Sequence, residues 1–241
     1  MTSESQASKP PIVIKISGSL IAPSSPEEAQ LTKSIIFLNK FIKNIRLLGR
    51  YNRISIVVGG GSLSRTYIKI LKNIKNNMSM LDLIGIMASR LNAQLISYAL
   101  YPLTSGKIAT YVEEVLEEYS RGLIPVSGGW EPGHSTNAVA LIIAEALGAG
   151  TVYNLLSRYD GVYYPNPEVP KARLLEEITY DQLEEIIKGN PQAPGRYELL
   201  DQMALEIAKR SKIRIHFLRG DPDLLFRVII KGERAGTIVH P

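Results

Sequence analysis

Short apolar runs alternate with longer amphipathic segments along most of the chain. PIVIKIS and RISIVV are nearly continuous apolar runs that end close to glycine, which is typical of buried strands. The segments between such runs carry Leu, Ile and Phe at helical spacing. The pattern predicts strands over residues 11–17, 53–58, 107–111, 123–126, 150–156, 213–218 and 237–239. It predicts helices over residues 26–48, 62–74, 81–101, 112–121, 136–147, 180–188, 197–210 and 222–229.

This order of elements indicates an α/β protein. Strands that alternate with helices of roughly 10–20 residues form βαβ units, and such units build a mostly parallel sheet. Residues 1–11 are polar and contain two prolines, so we expect a loose tail followed by a single domain over residues 12–241. The turn-forming residues at 160–170 mark the one plausible internal boundary.

The composition excludes several kinds of site. The chain has 241 residues, of which 45% are hydrophobic and 21% charged, as in ordinary globular proteins. It contains no cysteine, which excludes a disulfide scaffold, a cysteine-ligated zinc or iron–sulfur site and a cysteine nucleophile. The histidines, His134, His216 and His240, are far apart in the sequence, which argues against a histidine-rich metal site.

The charge favours small anionic ligands over nucleic acid. The 28 Lys and Arg exceed the 23 Asp and Glu by five, but the basic residues alternate with glutamates and no RNA-binding or zinc-finger signature is present. The longest apolar stretch, residues 138–156, is interrupted by Glu145, Gly148 and Gly150, so it does not predict a membrane span. We therefore expect a cytoplasmic protein that binds neither nucleic acid nor membrane.

Glycine turns repeatedly connect a predicted strand to a predicted helix. They occur at Gly18-Ser19, at residues 59–61, and at Gly128-Gly129 with the following residues 133–136. Glycine allows close backbone approach, and a helix N-terminus offers free N–H groups, so such turns can bind phosphate. A glycine pair after a strand is more often only a tight turn. Neither the dinucleotide fingerprint G-x-G-x-x-G nor the P-loop motif occurs.

Charged residues beside these turns strengthen the prediction of a phosphate site. Lys15 lies in an otherwise apolar strand, and Arg65 lies one helical turn beyond Gly61. Each residue also has an ordinary structural explanation. Lys15 can be a lysine whose amine reaches water at the end of a strand, and Arg65 can be a solvated surface arginine. Asp82 can likewise act as a helix N-terminal partner rather than a ligand contact.

Six blocks in a fixed order carry a family resemblance that covers about residues 12–239. They are KISGSL, VVGGGSLSRTYIK, LDLIGIMASRLNA, PVSGGWEPGHSTNAVA, YDGVYYPNP and YELLDQMALEIAKRSKIRI. The set resembles the amino-acid kinase superfamily and is most similar to its archaeal-type uridylate kinases. The resemblance implies a three-layer αβα sandwich around a mainly parallel sheet, assembled as a homohexamer. It also implies transfer of the ATP γ-phosphate to UMP in pyrimidine biosynthesis, with Mg²⁺ carried by ATP and no metal ligand from protein side chains.

The resemblance also implies roles for individual residues. Lys15 matches a catalytic lysine, Arg65 a phosphate-binding arginine and Asp201 an aspartate that orients the lysine. The acceptor part would span about residues 12–150 and the ATP-binding part about residues 151–241. The residues expected to bind UMP are Gly60, Asp82, Trp130, Glu131, Pro132, Gly133, His134, Ser135 and Thr136. Those expected to bind ATP are Gly18, Ser19, Gly61, Arg65, Ser157, Arg158, Tyr163 and Asn166.

The sequence departs from the family pattern around the predicted ATP site. The usual T-N-V-D-G-V-Y reads S-R-Y-D-G-V-Y here, which introduces Ser157 and Arg158, and the later Asp-Pro is Asn166-Pro167. Asn137 also lies where several relatives have aspartate. These changes leave two alternatives open: a superfamily member with another phosphate or carboxylate acceptor, and a non-catalytic nucleotide-binding relative.

Overall fold

The computed structural model describes residues 9–22, 27–165, 167, 170–189 and 199–241. Its strands are β1 (Pro11–Ile16), β2 (Arg53–Val58), β3 (Val126–Ser127), β4 (Thr151–Leu156), β5 (Val162–Tyr164), β6 (Arg173–Leu175), β7 (Glu177–Thr179), β8 (Arg214–Arg219) and β9 (Thr237–His240). Seven of them form one sheet in the order β3-β2-β1-β4-β8-β9-β7, and β5 pairs with β6 in a separate antiparallel ribbon.

The central sheet is mainly parallel. The pairs β1–β2, β1–β4, β2–β3 and β4–β8 are parallel, so these five strands end at the same edge of the sheet. Strand β9 runs antiparallel to β8, and β7 is parallel to β9. The chain order reverses around β1, whose neighbours are β2 and β4. Ligands of open α/β sheets bind outside the carboxyl ends of the strands at such a reversal.

Helices cover both faces of this sheet. They are α1 (Glu28–Leu48), α2 (Gly61–Ile74), α3 (Met78–Leu100), α4 (Val112–Ser120), α5 (Thr136–Leu147), α6 (Tyr180–Gly189), α7 (Gln202–Ser211) and α8 (Pro222–Lys231). The core on one face joins β1 and β2 to α1, α3 and α8, and the core on the other face joins the same strands to α4, α5, α6 and α7. The three-layer αβα architecture is therefore confirmed.

Alternating side chains of β1 divide the core between these layers. Ile12, Ile14 and Ile16 pack against the α1 side, where Phe41 is fully buried. Val13 packs against the α5 side. Lys15 has the same parity as Val13, so it belongs to the α5 face of the sheet and lies at the end of that apolar row.

Most predicted elements are present, with some corrections. Helix α3 begins at Met78 because the side chain of Asn77 accepts a hydrogen bond from the Met80 N–H at 3.1 Å. The strand predicted over residues 123–126 is only Val126–Ser127, and the one predicted over residues 107–111 is reduced to a single bridge from Ala109 to Ser127.

Other corrections fall in the second half of the chain. The helix predicted over residues 197–210 begins at Gln202, because the Asp201 carboxylate caps it by accepting from the Ala204 N–H at 3.0 Å. Residues 197 and 198 lie outside the described part of the chain, as does Pro26 at the predicted start of α1. Strands β5, β6 and β7 were not predicted; each has three residues, too few for a recognisable alternation. None of the helices in the described ranges is long and apolar enough to cross a membrane.

Candidate phosphate-binding site

The turns after β1 and β2 approach each other backbone to backbone. A Cβ atom on Gly18 would lie 2.1 Å from the Gly59 carbonyl oxygen and 2.6 Å from the Gly61 nitrogen. A Cβ atom on Gly61 would lie 2.4 Å from the Gly18 carbonyl carbon, and Gly61 has a φ of +62°. Only glycine fits at both positions, because one lacks the space for a side chain and the other also adopts a left-handed backbone.

Helix α3 holds these turns in place. The Asn92 side chain, which is buried, donates to the carbonyl oxygens of Gly59 and Gly60 at 2.9 and 3.2 Å. Ser89 accepts from the Gly129 N–H at 2.7 Å, and Arg90 donates to the carbonyl oxygens of Gly129 and Trp130 at 2.9 and 3.0 Å. One helix therefore fixes the turn after β2 and the turn after β3.

The sequence analysis did not single out Ser89, Arg90 or Asn92. The signal available was three polar residues close together, Ser89, Arg90 and Asn92, inside a largely apolar helix. Two of them, Ser89 and Asn92, are buried. Buried polar side chains need hydrogen-bond partners, so such a cluster indicates contact with irregular backbone nearby.

The N-terminus of α5 points its free N–H groups toward the same edge. Ser135 caps the helix by accepting from the N–H groups of Asn137 and Ala138 at 3.0 and 3.1 Å. Its hydroxyl also donates to Asp201, the cap of α7. The two helix starts are thus tied together, and the α5 terminus offers a positive dipole end to an anion.

A central cavity of about 250 Å³ lies where these parts meet. It contains both a lysine and two arginines, and none of its lining residues is Asp or Glu. The lining residues are Lys15, Ser17, Gly18, Gly59, Gly60, Gly61, Arg65, Ser135, Thr136, Asn137, Leu156, Ser157, Arg158 and Tyr159. Cations, amide groups and hydroxyls without a competing carboxylate form a site suited to phosphate.

A second cavity of about 350 Å³, the α3-side cavity, adjoins the central one through Gly60, Ser135 and Thr136. Its lining residues are Gly60, Ser64, Ile68, Asp82, Gly85, Ile86, Ser89, Gly129, Gly133, His134, Ser135 and Thr136. Asp82 accepts a hydrogen bond from the Gly133 N–H at 2.9 Å. This aspartate therefore holds the loop before α5 against the start of α3.

A third cavity of about 690 Å³, the α1-side cavity, adjoins the central one through Arg65, Ser157 and Arg158. At their border the Arg65 guanidinium donates to the Ser19 hydroxyl at 3.0 Å. The three cavities form a continuous series along the carboxyl edge of the sheet.

Several predicted site residues lie outside all three cavities. Trp130 is 9% exposed, packs in the α5-side core and donates from its indole N–H to the Ala109 carbonyl at 3.3 Å. Glu131 and Pro132 lie in the exposed loop before α5, and neither lines the α3-side cavity. Asp201 does not line the central cavity, but it accepts a hydrogen bond from Ser135, which does.

Tyr163 occupies the ribbon beside the sheet. Its phenol donates to the Asp160 carboxylate at 3.1 Å, and Arg219 donates to the other oxygen of Asp160 at 2.9 Å. Burial and this hydrogen bond raise the pKa of Tyr163 above the ordinary value of a tyrosine. Asn166, also predicted for the ATP site, lies outside the described residues.

Comparisons with known proteins agree with this architecture. Residues 10–219 match the amino acid kinase family. The chain is 44% identical to the uridylate kinase of Aeropyrum pernix over 95% of this chain and 98% of that protein. It is 38% identical to the uridylate kinase of Hyperthermus butylicus over 96% of this chain and 98% of that protein. The crystal structure of uridylate kinase from Archaeoglobus fulgidus superposes with a TM-score of 0.79 at 31% identity, covering 95% of this chain and 99% of that one.

Replacing Gly18 by alanine tests the close approach of the two turns. The added methyl would collide with the backbone of Gly59 and Gly61, so we expect the free energy of unfolding to fall by about 1–3 kcal/mol. Gly150→Ala is the matched control, since nothing lies within 4 Å of its Cβ position, and we expect a change below about 1 kcal/mol. Urea unfolding followed by circular dichroism measures both. Equal stability of the two variants would contradict the contact.

Proposed function

The chain belongs to the amino acid kinase family, and on this premise we propose that it is a uridylate kinase that transfers the γ-phosphate of ATP to UMP, giving ADP and UDP. The proposal is supported by uridylate kinase relatives at 44% and 38% identity along nearly their full length. The enzyme class is therefore a nucleoside monophosphate phosphotransferase acting in pyrimidine nucleotide synthesis.

The central cavity is the observation that carries this proposal. Two glycine turns, the start of α5, Lys15 and two arginines surround about 250 Å³, and further cavities open on both of its sides. A phosphotransferase needs this arrangement, because two anionic substrates must meet end to end while their charges are offset.

We assign the α3-side cavity to UMP, and the central cavity together with the α1-side cavity and the adjoining β5–β6 ribbon to ATP. For UMP the proposal retains Gly60, Asp82, Gly133, His134, Ser135 and Thr136, which line that cavity. Trp130, Glu131 and Pro132 would act by shaping the loop rather than through side chains in the cavity. For ATP it retains Gly18, Ser19, Gly61, Arg65, Ser157, Arg158, Tyr163 and Asn166. An acceptor-binding part over about residues 12–150 and an ATP-binding part over about residues 151–241 remain the proposed division, with Gly18, Ser19, Gly61 and Arg65 contributed to the ATP site by the first part.

The proposed reaction needs no strong base. The UMP phosphate already carries ionised oxygens, and one of them attacks the γ-phosphorus of ATP. A new P–O bond forms to UMP, the bond to the β,γ-bridging oxygen breaks, and ADP leaves with that electron pair. Lys15 offsets the negative charge at the transferred group, and Arg65 binds phosphate through its planar fork. Asp201 acts at a distance by fixing Ser135.

Magnesium is proposed to enter with ATP. Among the described residues no three His, Asp or Glu side chains cluster as a metal site, and the cavity wall offers hydroxyl and amide groups instead. Such a wall fits Mg²⁺ that keeps phosphate oxygens and waters as its ligands. The bound ion would reduce repulsion between the two phosphate groups. Ser17, which lines this cavity, is the hydroxyl residue that would hold those waters, because the Ser135 hydroxyl is already bonded to Asp201 and to the start of α5.

Assembly into a homohexamer is proposed from the family resemblance and from an apolar stripe on α3. The stripe consists of Met80, Leu83, Met87, Leu91, Leu95 and Tyr98, whose residues are 41–67% exposed. Their spacing places them along one side of the helix. A continuous exposed apolar surface of this kind is typical of a subunit interface. The cytoplasm is the proposed compartment, since both substrates are free nucleotides.

Lys15→Ala tests the transfer chemistry. We expect the variant to fold but to lose UDP formation by a factor on the order of 100 or more in kcat, because the charge at the transferred group is no longer offset. A coupled assay for ADP, with UDP detected separately, measures the rate. Lys72→Ala, an exposed lysine on α2 outside the three cavities, is the control. Wild-type turnover by the Lys15 variant would remove Lys15 from the mechanism.

No UDP from the wild-type protein with ATP and UMP would instead reject the proposed function. The same assay with CMP, dUMP, acetylglutamate and isopentenyl phosphate then distinguishes a different acceptor from a non-catalytic protein.

Asp82→Ala tests the assignment of the α3-side cavity. Without its carboxylate the Gly133 N–H loses its partner and the loop before α5 loses an anchor, so we expect KM for UMP to rise about tenfold. KM for ATP should change little. Initial-rate kinetics with each substrate varied separately give both constants. An increase confined to ATP would mean that the two cavities have the opposite assignment.

Leu91→Glu tests the assembly. A carboxylate in the middle of the α3 stripe cannot be buried without a partner, so we expect species smaller than those of the wild type in size-exclusion chromatography with light scattering. Tyr51→Glu places the same charge on an exposed residue in the turn that follows α1 and serves as the control. An unchanged mass for the Leu91 variant would exclude the stripe as an interface.

A further inference from the structure

The α1-side cavity is lined by cations from three separate elements. Lys33 comes from α1, Arg65 and Lys69 come from α2, and Arg158 follows β4. No Asp or Glu is among its lining residues, which are Ser19, Leu20, Gln30, Lys33, Ser34, Phe37, Ser62, Arg65, Thr66, Lys69, Ser157, Arg158 and Gly220. The positive charge is thus concentrated around about 690 Å³ of space.

Three of these cations stand outside the ion pairs found among the described residues. Lys33, Lys69 and Arg158 form no ion pair with any residue in the described part of the chain. Other lysines of the same protein are paired, as Lys40 is with Asp223 and Lys209 with Glu184. Like charges around one cavity repel each other, and a bound anion would relieve that repulsion.

Uncharged hydrogen-bonding groups also line the cavity. Ser34 on α1 and Ser62 on α2 are among them, and the Ser62 hydroxyl donates to the Ala22 carbonyl at 2.9 Å. The lining therefore combines cations with polar groups.

The cavity extends directly from the proposed transfer site. Arg65, Ser157 and Arg158 line both the central and the α1-side cavity. An anion in one therefore lies close to an anion in the other. The cations come from α1, from α2 and from the segment after β4, around a space of about 690 Å³. A chain of phosphates has several charged oxygens along its length and therefore offers a contact to each of them.

We propose that the α1-side cavity binds a chain of two or more phosphates, held by Lys33 and Lys69 together with Arg158. This inference rests on the proposed function. The phosphates are either the inner phosphates of the ATP that is bound for transfer or those of a separate polyphosphate. Neither Lys33 nor Lys69 belongs to the site implied by the family resemblance.

Calorimetric titration with sodium tripolyphosphate tests the proposal on the full-length protein at fixed salt. We compare the wild type with Lys33→Ala/Lys69→Ala and with Lys43→Ala/Lys72→Ala. The control pair removes the same charge from the same two helices at exposed positions outside the cavity. We expect the cavity variant to bind tripolyphosphate at least about tenfold more weakly, with the control equal to the wild type. Equal affinity in all three proteins, or no binding in any, would overturn the proposal.

A second titration, with UMP and a non-hydrolysable ATP analogue already bound, identifies which molecule supplies the phosphates. Loss of tripolyphosphate binding, with a raised KM for ATP in the cavity variant, assigns the site to the inner phosphates of ATP. Retained binding with an unchanged KM assigns it to a separate polyphosphate.

The titration needs no turnover. Binding that depends on the lysines in a protein that forms no UDP would therefore reject the uridylate kinase proposal alone. UDP formation together with equal tripolyphosphate affinity in the three proteins would reject this inference alone.

Discussion

The backbone contact between Gly18 and Gly61 is the constraint on which the carboxyl edge of the sheet depends. It brings the turns after β1 and β2 closer than any side chain would permit, and Asn92 secures the second turn from α3. The turn after β3 is held by Ser89 and Arg90 of the same helix. Because the turns are fixed relative to each other, their N–H groups can face a common space without rearrangement on binding.

The distribution of charge around that space follows from this packing. Carboxylates near the edge are engaged in structural bonds: Asp82 with the Gly133 N–H, Asp201 with Ser135 and the start of α7, and Asp160 with Tyr163 and Arg219. None of the residues lining the central cavity is acidic. The site is thereby positive although the net charge of the protein is only +5. Local placement, rather than overall composition, produces the attraction for phosphate.

The structure also shows which residues serve the site indirectly. Trp130 lies in a glycine-rich segment typical of a binding loop, yet its ring is a core residue and its backbone carbonyl is held by Arg90. Ser135 caps α5 and at the same time contacts the cap of α7. A residue in a binding motif can therefore act by shaping the loop, and only its surroundings distinguish this from direct contact with a ligand.

The sequence by itself determined the α/β class, the parallel sheet and the identity of the glycine turns, because apolar periodicity and glycine placement are local properties of the chain. The six ordered blocks identified the family. Tertiary structure alone decided that Gly18 meets Gly61, that SRLN in α3 holds two of the turns, and that Lys33 and Lys69 face the same cavity as Arg158. These contacts join residues far apart in the sequence. Their proximity depends on strand order and helix packing, which no local pattern encodes.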